Sequence, residues 1–116
     1  MTVQRPVLVA TEADDTTADA VIAELNTRGV PVVRFDPADI GEDLTVSARF
    51  GSSPGCAAGQ IRTPSRTADI GEARSLYWRR PRWPAFDQLD PADARFASSQ
   101  VRHGLGGILY LSLIHI

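Results

Sequence analysis

Two short apolar runs on either side of a helical repeat constrain the fold of this chain most strongly. The runs, residues 6–11 and 30–35, are the continuous kind typical of strands buried on both faces. Between them, Gly29 stands where a left-handed residue would end a helix. The residues that recur at the spacing of one helix face are Ala18, Val21, Ile22 and Leu25. The pattern predicts a βαβ unit with parallel strands.

A β-hairpin is predicted after the second strand. Residues 36–39 read as a turn, and residues 44–50 alternate between apolar and polar side chains, which indicates a half-exposed strand. The Gly/Ser/Pro/Ala stretch 51–59, which holds the single Cys56, is predicted to be a flexible turn. The chain then returns antiparallel over residues 60–63. We expect residues 67–73 to form a turn or short helix, and residues 75–78 a strand that rejoins the main sheet.

A final helix is predicted from Asp90, which provides a cap before Pro91 at the first helical position. Its buried face is expected to carry Ala94, Ala97, Val101 and Leu105. Three glycines, Gly104, Gly106 and Gly107, favour a kink or an end of the helix at that point. If the chain is a fragment and this helix packs on missing domains of a longer protein, the side chains of Ile108, Leu109 and Tyr110 are expected to be left exposed.

Composition excludes several classes of function. The formal net charge of -2 argues against a general nucleic-acid binder. All twelve basic residues are arginine, so neither a Schiff-base lysine nor a P-loop lysine is available. A single cysteine cannot form an internal disulfide. With no signal peptide and no apolar stretch of about 20 residues, we predict a cytoplasmic protein without a membrane partner.

Polar residues follow the predicted strands at one edge of the sheet. Thr11, Asp14 and Asp15 come after the first strand, and Asp36 comes after the second. The carboxyl ends of strands in an open α/β sheet face a ligand crevice, which makes these residues candidates for a substrate or partner site. The alternative is that the acidic residues cap helices. If the strand at residues 75–78 is parallel, the candidates Arg79 and Arg80 reach the same edge. An ion pair of Asp36 with either arginine is then as good an interpretation as a ligand site.

Aromatic and arginine side chains are concentrated at residues 77–83. Arginines could bind phosphates there, and rings such as Trp78 could stack on bases. The alternative is structural, with Tyr77 and Trp78 packed on the core. Nothing in the chain combines a nucleophile, a base and an oxyanion hole. His103 has no nearby acidic partner in sequence. We predict no catalytic residue and no metal ligand.

Two nucleotide-dependent classes match the chain poorly. Asp14 and Asp15 after a first strand resemble the acidic pair of receiver domains, but those domains also need a lysine. The turn after the first strand has no glycine, so the dinucleotide-binding fingerprint is missing as well. A free-standing flavodoxin-like or receiver-like binding module remains the alternative to the interpretation that follows. A weaker alternative makes the arginines at residues 77–83 a single-stranded nucleic-acid contact.

The motifs together resemble the N-terminal domain of ATP-grasp peptide maturases. The resemblance is carried by residues 7–15, 32–36, 75–81, 94–97 and 103–107, including the Tyr-Trp-Arg-Arg-Pro run. These ligases are similar to the microviridin ligases, which crosslink side chains of ribosomal peptides (graspetides). The resemblance implies an α/β, Rossmann-like, three-layer pre-ATP-grasp domain with a mostly parallel sheet and an inserted β-hairpin.

The resemblance also implies a division of labour within a longer parent protein. The parent would use ATP and Mg²⁺ to activate a side-chain carboxylate of a ribosomal precursor peptide as an acyl phosphate, and it could form a homo-oligomer. This chain would hold no cofactor and would not itself be catalytic. Residues 111–116 resemble the translation of the transposon end used in tagmentation sequencing libraries. We therefore expect residues 1–110 to be a fragment of the parent and residues 111–116 to be a non-native tail.

Overall fold

The computed structural model describes residues 5–51 and 57–113, and it confirms the βαβ unit. Strand β1 (Val7–Thr11) leads into helix α1 (Thr16–Thr27), and strand β2 (Val32–Phe35) follows. The helix ends as the sequence predicts, because Gly29 has a φ of 73°, a conformation that costs glycine little. A single 3-10 turn, Pro37–Asp39, follows β2, in agreement with the predicted turn.

A three-stranded parallel sheet forms the centre of the molecule. The last strand, β6 (Ser75–Arg80), pairs in parallel with β1, as β2 does on the other side. The order is therefore β2-β1-β6. Every residue of the central strand β1 is buried, which explains why its sequence is continuously apolar rather than alternating. The returning strand is confirmed, and it runs two residues further than predicted.

A second, antiparallel sheet contains the predicted hairpin. Strands β3 (Thr45–Phe50) and β4 (Ala57–Arg62) pair antiparallel. The predicted flexible turn is too long, because residues 57–59 already belong to β4; Cys56 lies outside the described residues. The expectation of a turn or helix at 67–73 is half wrong. A third strand, β5 (Thr67–Asp69), pairs with β4 before a 3-10 turn at Ile70–Glu72.

Two hydrophobic clusters hold three layers together. One lies between the parallel sheet and α1, and its buried members are Val7, Val9, Ala18 and Val32. The larger cluster lies on the opposite face and includes Leu8, Phe35, Leu44, Ile61 and Ile70. The three-layer α/β fold is thus confirmed. Its third layer is the antiparallel sheet together with the last helix, α2 (Pro91–Leu113), which packs on β4 and on the turn at Ile70–Glu72.

Helix α2 begins as predicted and continues further than predicted. The amide of Asp93 donates a hydrogen bond of 2.9 Å to the Asp90 side chain. The three glycines do not end or interrupt the helix. Leu105 and Leu109 are buried in the larger cluster, and their burial outweighs a glycine cost of about 1 kcal/mol each. The predicted exposure is therefore wrong for Leu109 and confirmed for Tyr110. Ile108 is partly buried against the same cluster.

Close approach of α2 explains one glycine in the small sheet. A Cβ at Gly59 would lie 3.0 Å from Cδ1 of Ile70 and 3.3 Å from Cγ2 of Ile108. A larger residue there would force the side chains of Ile70 and Ile108 to shift. Within the described part of the chain, no helix is long and apolar enough to cross a membrane.

Candidate functional site

Several polar residues lie together at the carboxyl ends of the parallel strands. We call Thr11, Glu12, Asp15, Asp36, Arg79 and Arg82 the carboxyl-edge cluster. Thr11, Asp15 and Asp36 are the buried polar side chains of the described residues, with 1%, 3% and 5% of their surface exposed. Since parallel strands end at the same edge of a sheet, segments distant in sequence meet here.

Asp15 caps α1 and is held from three directions. Its Oδ1 accepts a hydrogen bond of 3.1 Å from the amide of Ala18, and its Oδ2 accepts one of 2.6 Å from the Thr11 hydroxyl. The Nε of Arg79 lies 3.3 Å from the same Oδ2. The hydrogen bond from Thr11 is the largest cause that lowers the pKa of Asp15 below the usual aspartate value, and burial opposes it. The Ala18 amide and then Arg79 and Arg80 lower the pKa further. The cap interpretation of Asp15 is thus supported.

A β-bulge brings Arg79 to this carboxylate. The register of β1 with β6 shifts so that Ala10 pairs with Trp78, and Thr11 pairs with Arg80. Arg79 is the extra residue, and bulges of this kind redirect side chains at the ends of strands. The Nε atom of Arg79 is buried without a hydrogen bond of good geometry in the described part of the chain. Its interaction with Asp15 is therefore chiefly Coulombic.

Asp36 pairs with an arginine that the sequence analysis did not select. Its carboxylate accepts hydrogen bonds of 2.9 Å from both the amide and the Nε of Arg82, and one of 3.2 Å from the amide of Ala38. The predicted ion pairs of Asp36 with Arg79 or Arg80 are wrong, because the bulge and Pro81 place Arg82 there instead. The hydrogen bond to Asp36 is the main cause that raises the pKa of Arg82. Burial, followed by the charge of Asp36, raises the pKa of Asp39.

A second arginine that the sequence analysis did not select holds the loop after β1 in place. Arg34 on β2 donates hydrogen bonds of 2.8 Å and 3.2 Å to the carbonyl oxygens of Glu12 and Ala13, and it pairs with Asp19 on α1. An arginine in an otherwise apolar strand was the available sign. Arg82 had no comparable sign in the sequence.

The remaining predicted site residues do not join the cluster. The side chain of Asp14 is exposed. Arg80 is exposed too, and it affects Asp15 only through its charge. Trp78 lies with Trp83, at a ring-centroid distance of 5.9 Å, and 45% of its surface is exposed. The predicted set is therefore divided between the carboxyl edge and a separate aromatic pair.

The chemistry available at the carboxyl edge is limited. Its two buried carboxylates are already engaged by hydrogen bonds and by arginines. Within residues 5–51 and 57–113, no three His, Cys, Asp or Glu side chains are grouped so that they could hold a metal ion. Together with the lack of lysine, these residues do not fit an ATP–Mg²⁺ site. The cluster stabilises the end of the sheet and presents no free acid or base.

The fold is similar to that of three solved peptide ligases. The first is a RiPP-associated ATP-grasp ligase of Chryseobacterium gregarium in complex with ADP and a leader and core peptide. It is 21% identical, with a TM-score of 0.73, over 90% of this chain and 32% of that chain. The second is the macrocyclase MdnC of Microcystis aeruginosa bound with precursor peptide MdnA. It is 21% identical, with a TM-score of 0.77, over 89% of this chain and 33% of that chain. The third is the macrocyclase MdnB of Microcystis aeruginosa. It is 22% identical, with a TM-score of 0.78, over 94% of this chain and 35% of that chain.

These likenesses define the class of fold. The architecture is an α/β domain of the kind found in ATP-grasp peptide ligases, which confirms the predicted resemblance at the level of the fold. No protein-family model and no curated protein matches the sequence. The chain spans about a third of the length of the solved structures that it matches.

Proposed function

We propose that residues 1–110 are the N-terminal, pre-ATP-grasp domain of an ATP-dependent peptide ligase. The parent would crosslink side chains of a ribosomal precursor peptide through acyl-phosphate activation. The observation that carries the proposal is the agreement of about nine-tenths of this chain with three ligases of this kind. Two of them are bound to peptides. The sequence motifs that resemble such maturases support it independently.

In this proposal the chain is a scaffold and a wall of the reaction site. Its two buried carboxylates are engaged by arginines, so they are not free to take part in phosphoryl transfer. ATP and Mg²⁺ would be bound by parts of the parent outside this chain. Residues 111–116 would be a non-native tail, with residues 114–116 outside the described part. The cytoplasmic location and the homo-oligomer remain predictions.

The uninterrupted gene at the source locus tests this proposal. We expect the reading frame to depart from this sequence after Tyr110 and to encode further domains. The complete protein, incubated with ATP, Mg²⁺ and a peptide encoded beside it, should release ADP and remove water from the peptide, as measured by mass spectrometry. The 116-residue chain is the control and should release no ADP. A native stop codon directly after Ile116, or a complete protein that leaves every neighbouring peptide unchanged, would contradict the proposal.

A further inference from the structure

A second surface, separate from the carboxyl-edge cluster, is rich in tryptophan and arginine side chains. The fold alone does not require this composition. We call Trp78, Trp83, Arg95 and Arg102 the aromatic–arginine surface. The Trp83 ring lies between its neighbours, with its centroid 5.9 Å from the Trp78 ring and 5.1 Å from Cζ of Arg102. Trp83 packs on the larger hydrophobic cluster, whereas Trp78 and Arg102 are exposed. The half-buried Trp83 ring therefore contacts two exposed groups.

The two segments that carry this surface contain arginines and no acidic residue, and three aspartates lie between them in residues 87–93. Residues 78–86 and 94–110 contain no acidic residue, and their arginines are Arg79, Arg80, Arg82, Arg95 and Arg102. Arg79 and Arg82 are paired in the carboxyl-edge cluster. In the described part of the chain, the other three have no carboxylate within ion-pair distance. Arg95 stands seven residues before Arg102, two turns along the same side of α2. This region attracts anions.

The side chain of Arg102 is positioned so that it can bind a carboxylate. Its guanidinium lies over the Trp83 ring, a contact that is favourable for a cation and restricts the side chain. None of its N–H groups donates a hydrogen bond to another described residue, which leaves its planar fork available to a bidentate acceptor. Restricting a long side chain in advance reduces the entropy that binding would otherwise cost.

The exposed ring of Trp78 adds a site for an apolar side chain. Tryptophan and arginine are the residue types most enriched at the energetic centres of protein interfaces. The net charge of -2, together with Asp87, Asp90 and Asp93 on the nearby segment, disfavours a long polyanion such as a nucleic-acid strand. The combination fits a polypeptide whose carboxylate side chains alternate with apolar ones.

We infer that the aromatic–arginine surface docks an acidic, partly apolar segment of a polypeptide substrate. Carboxylates of the segment would bind Arg102 and Arg95, and an apolar side chain would pack on Trp78. This inference rests on the proposed function, because it supplies the docking surface for the peptide of that proposal. It requires no bond-forming step by this chain.

Fluorescence anisotropy of the 116-residue chain tests the inference. The probe is a fluorescein-labelled peptide that repeats Glu-Gly-Phe-Gly, and its match has every glutamate replaced by glutamine. We expect the acidic probe to bind with a Kd below about 1 mM and the glutamine probe to bind about tenfold more weakly. Arg102→Gln and Trp78→Ala should each weaken the acidic probe by about tenfold. Arg102→Lys keeps the charge and loses the planar fork. Its Kd for the acidic probe should therefore lie between those of Arg102→Gln and the unchanged chain.

Arg49→Gln is the matched control, because it removes the same charge from an exposed position on β3, away from α2. It should change the Kd by less than about twofold. Thermal melting of each variant verifies that it remains folded. Equal weakening by Arg49→Gln, no binding of the acidic probe, or tighter Arg102-dependent binding of single-stranded oligothymidylate would each overturn the inference. Condensation by the complete parent is a separate readout, so the failure of docking and the failure of the ligase proposal can be told apart.

Discussion

The carboxyl-edge cluster and the aromatic–arginine surface both include residues of the segment around β6. They differ in how their charged groups are paired. At the carboxyl edge, Asp15 and Asp36 are buried, and each has an arginine beside it. On the other surface, Arg102 and Trp78 are exposed, and Arg102 meets a ring instead of an acid. Polar groups that satisfy one another inside the protein contribute to stability, whereas exposed and unsatisfied groups are available for binding.

The largest effect on this comparison should come from Asp36→Ala. The change leaves the partly buried amides of Arg82 and Ala38 without their acceptor, and it removes the carboxylate that pairs with Arg82. We expect the free energy of unfolding to fall by about 2 kcal/mol, as measured by urea denaturation. Asp14→Ala, at an exposed position, is the control and should have almost no effect. Equal losses in the two variants would show that the cluster does not stabilise the sheet.

A smaller, pH-dependent effect is expected from Thr11→Val. The hydroxyl of Thr11 is the main cause of the lowered pKa of Asp15, and its loss should lower the free energy of unfolding at neutral pH, by less than Asp36→Ala does. A carboxylate whose pKa is depressed by folding stabilises the protein above its unfolded pKa, and this contribution disappears as the pH falls through the folded pKa. The difference between variant and parent should therefore shrink in acid, below the usual aspartate value. A difference that is constant with pH would argue against this origin.

An effect of opposite sign is expected on the helix that carries the aromatic–arginine surface. A Cβ at Gly104 would meet nothing within 4 Å, so Gly104→Ala should raise the free energy of unfolding by about 0.8 kcal/mol. Gly59→Ala is the contrasting variant, because its Cβ would contact Ile70 and Ile108 closely, and it should destabilise. Thermal melting distinguishes the two, and stabilisation by Gly59→Ala would contradict the packing of α2 on β4.

The smallest effect on stability is expected at the binding surface. Arg102→Gln removes an exposed charge without leaving a buried group unpaired, so the free energy of unfolding should change by less than about 0.5 kcal/mol. Chemical denaturation of Arg102→Gln and Asp36→Ala under the same conditions measures the two changes in the free energy of unfolding. A loss as large as that of Asp36→Ala would mean that Arg102 is a structural residue and would remove the contrast between the two regions.

The sequence predicted the parts of the fold that repeat regularly. The buried run of β1, the capped start of α1 and the left-handed Gly29 follow from local rules. The three-residue strand β5 was missed because it is too short to show alternation. The extension of α2 through Gly104 was missed because long-range burial of Leu105 and Leu109 overrides local preference.

The candidate site was predicted in its location and only partly in its pairings. Parallel strands place Thr11, Asp15 and Asp36 at one edge whatever their detailed geometry. The choice of Arg82 for Asp36, however, depends on a one-residue bulge that no pattern in the sequence marks. Trp78 is separated from the acidic residues for a different reason, since neighbouring residues of a strand face opposite sides.

The three-segment origin of the carboxyl-edge cluster bears on how the chain reaches its native alignment. Its acids follow β1 and β2, and its arginines end or follow β6. Sliding β6 by one position against β1 would separate Arg79 from Asp15 and Arg82 from Asp36 at once, and it would strand two anions in a poorly hydrated place. The cluster thus favours the native register of β6 on β1, in addition to the apolar side chains, which a shift of one residue would turn to the opposite face of the sheet.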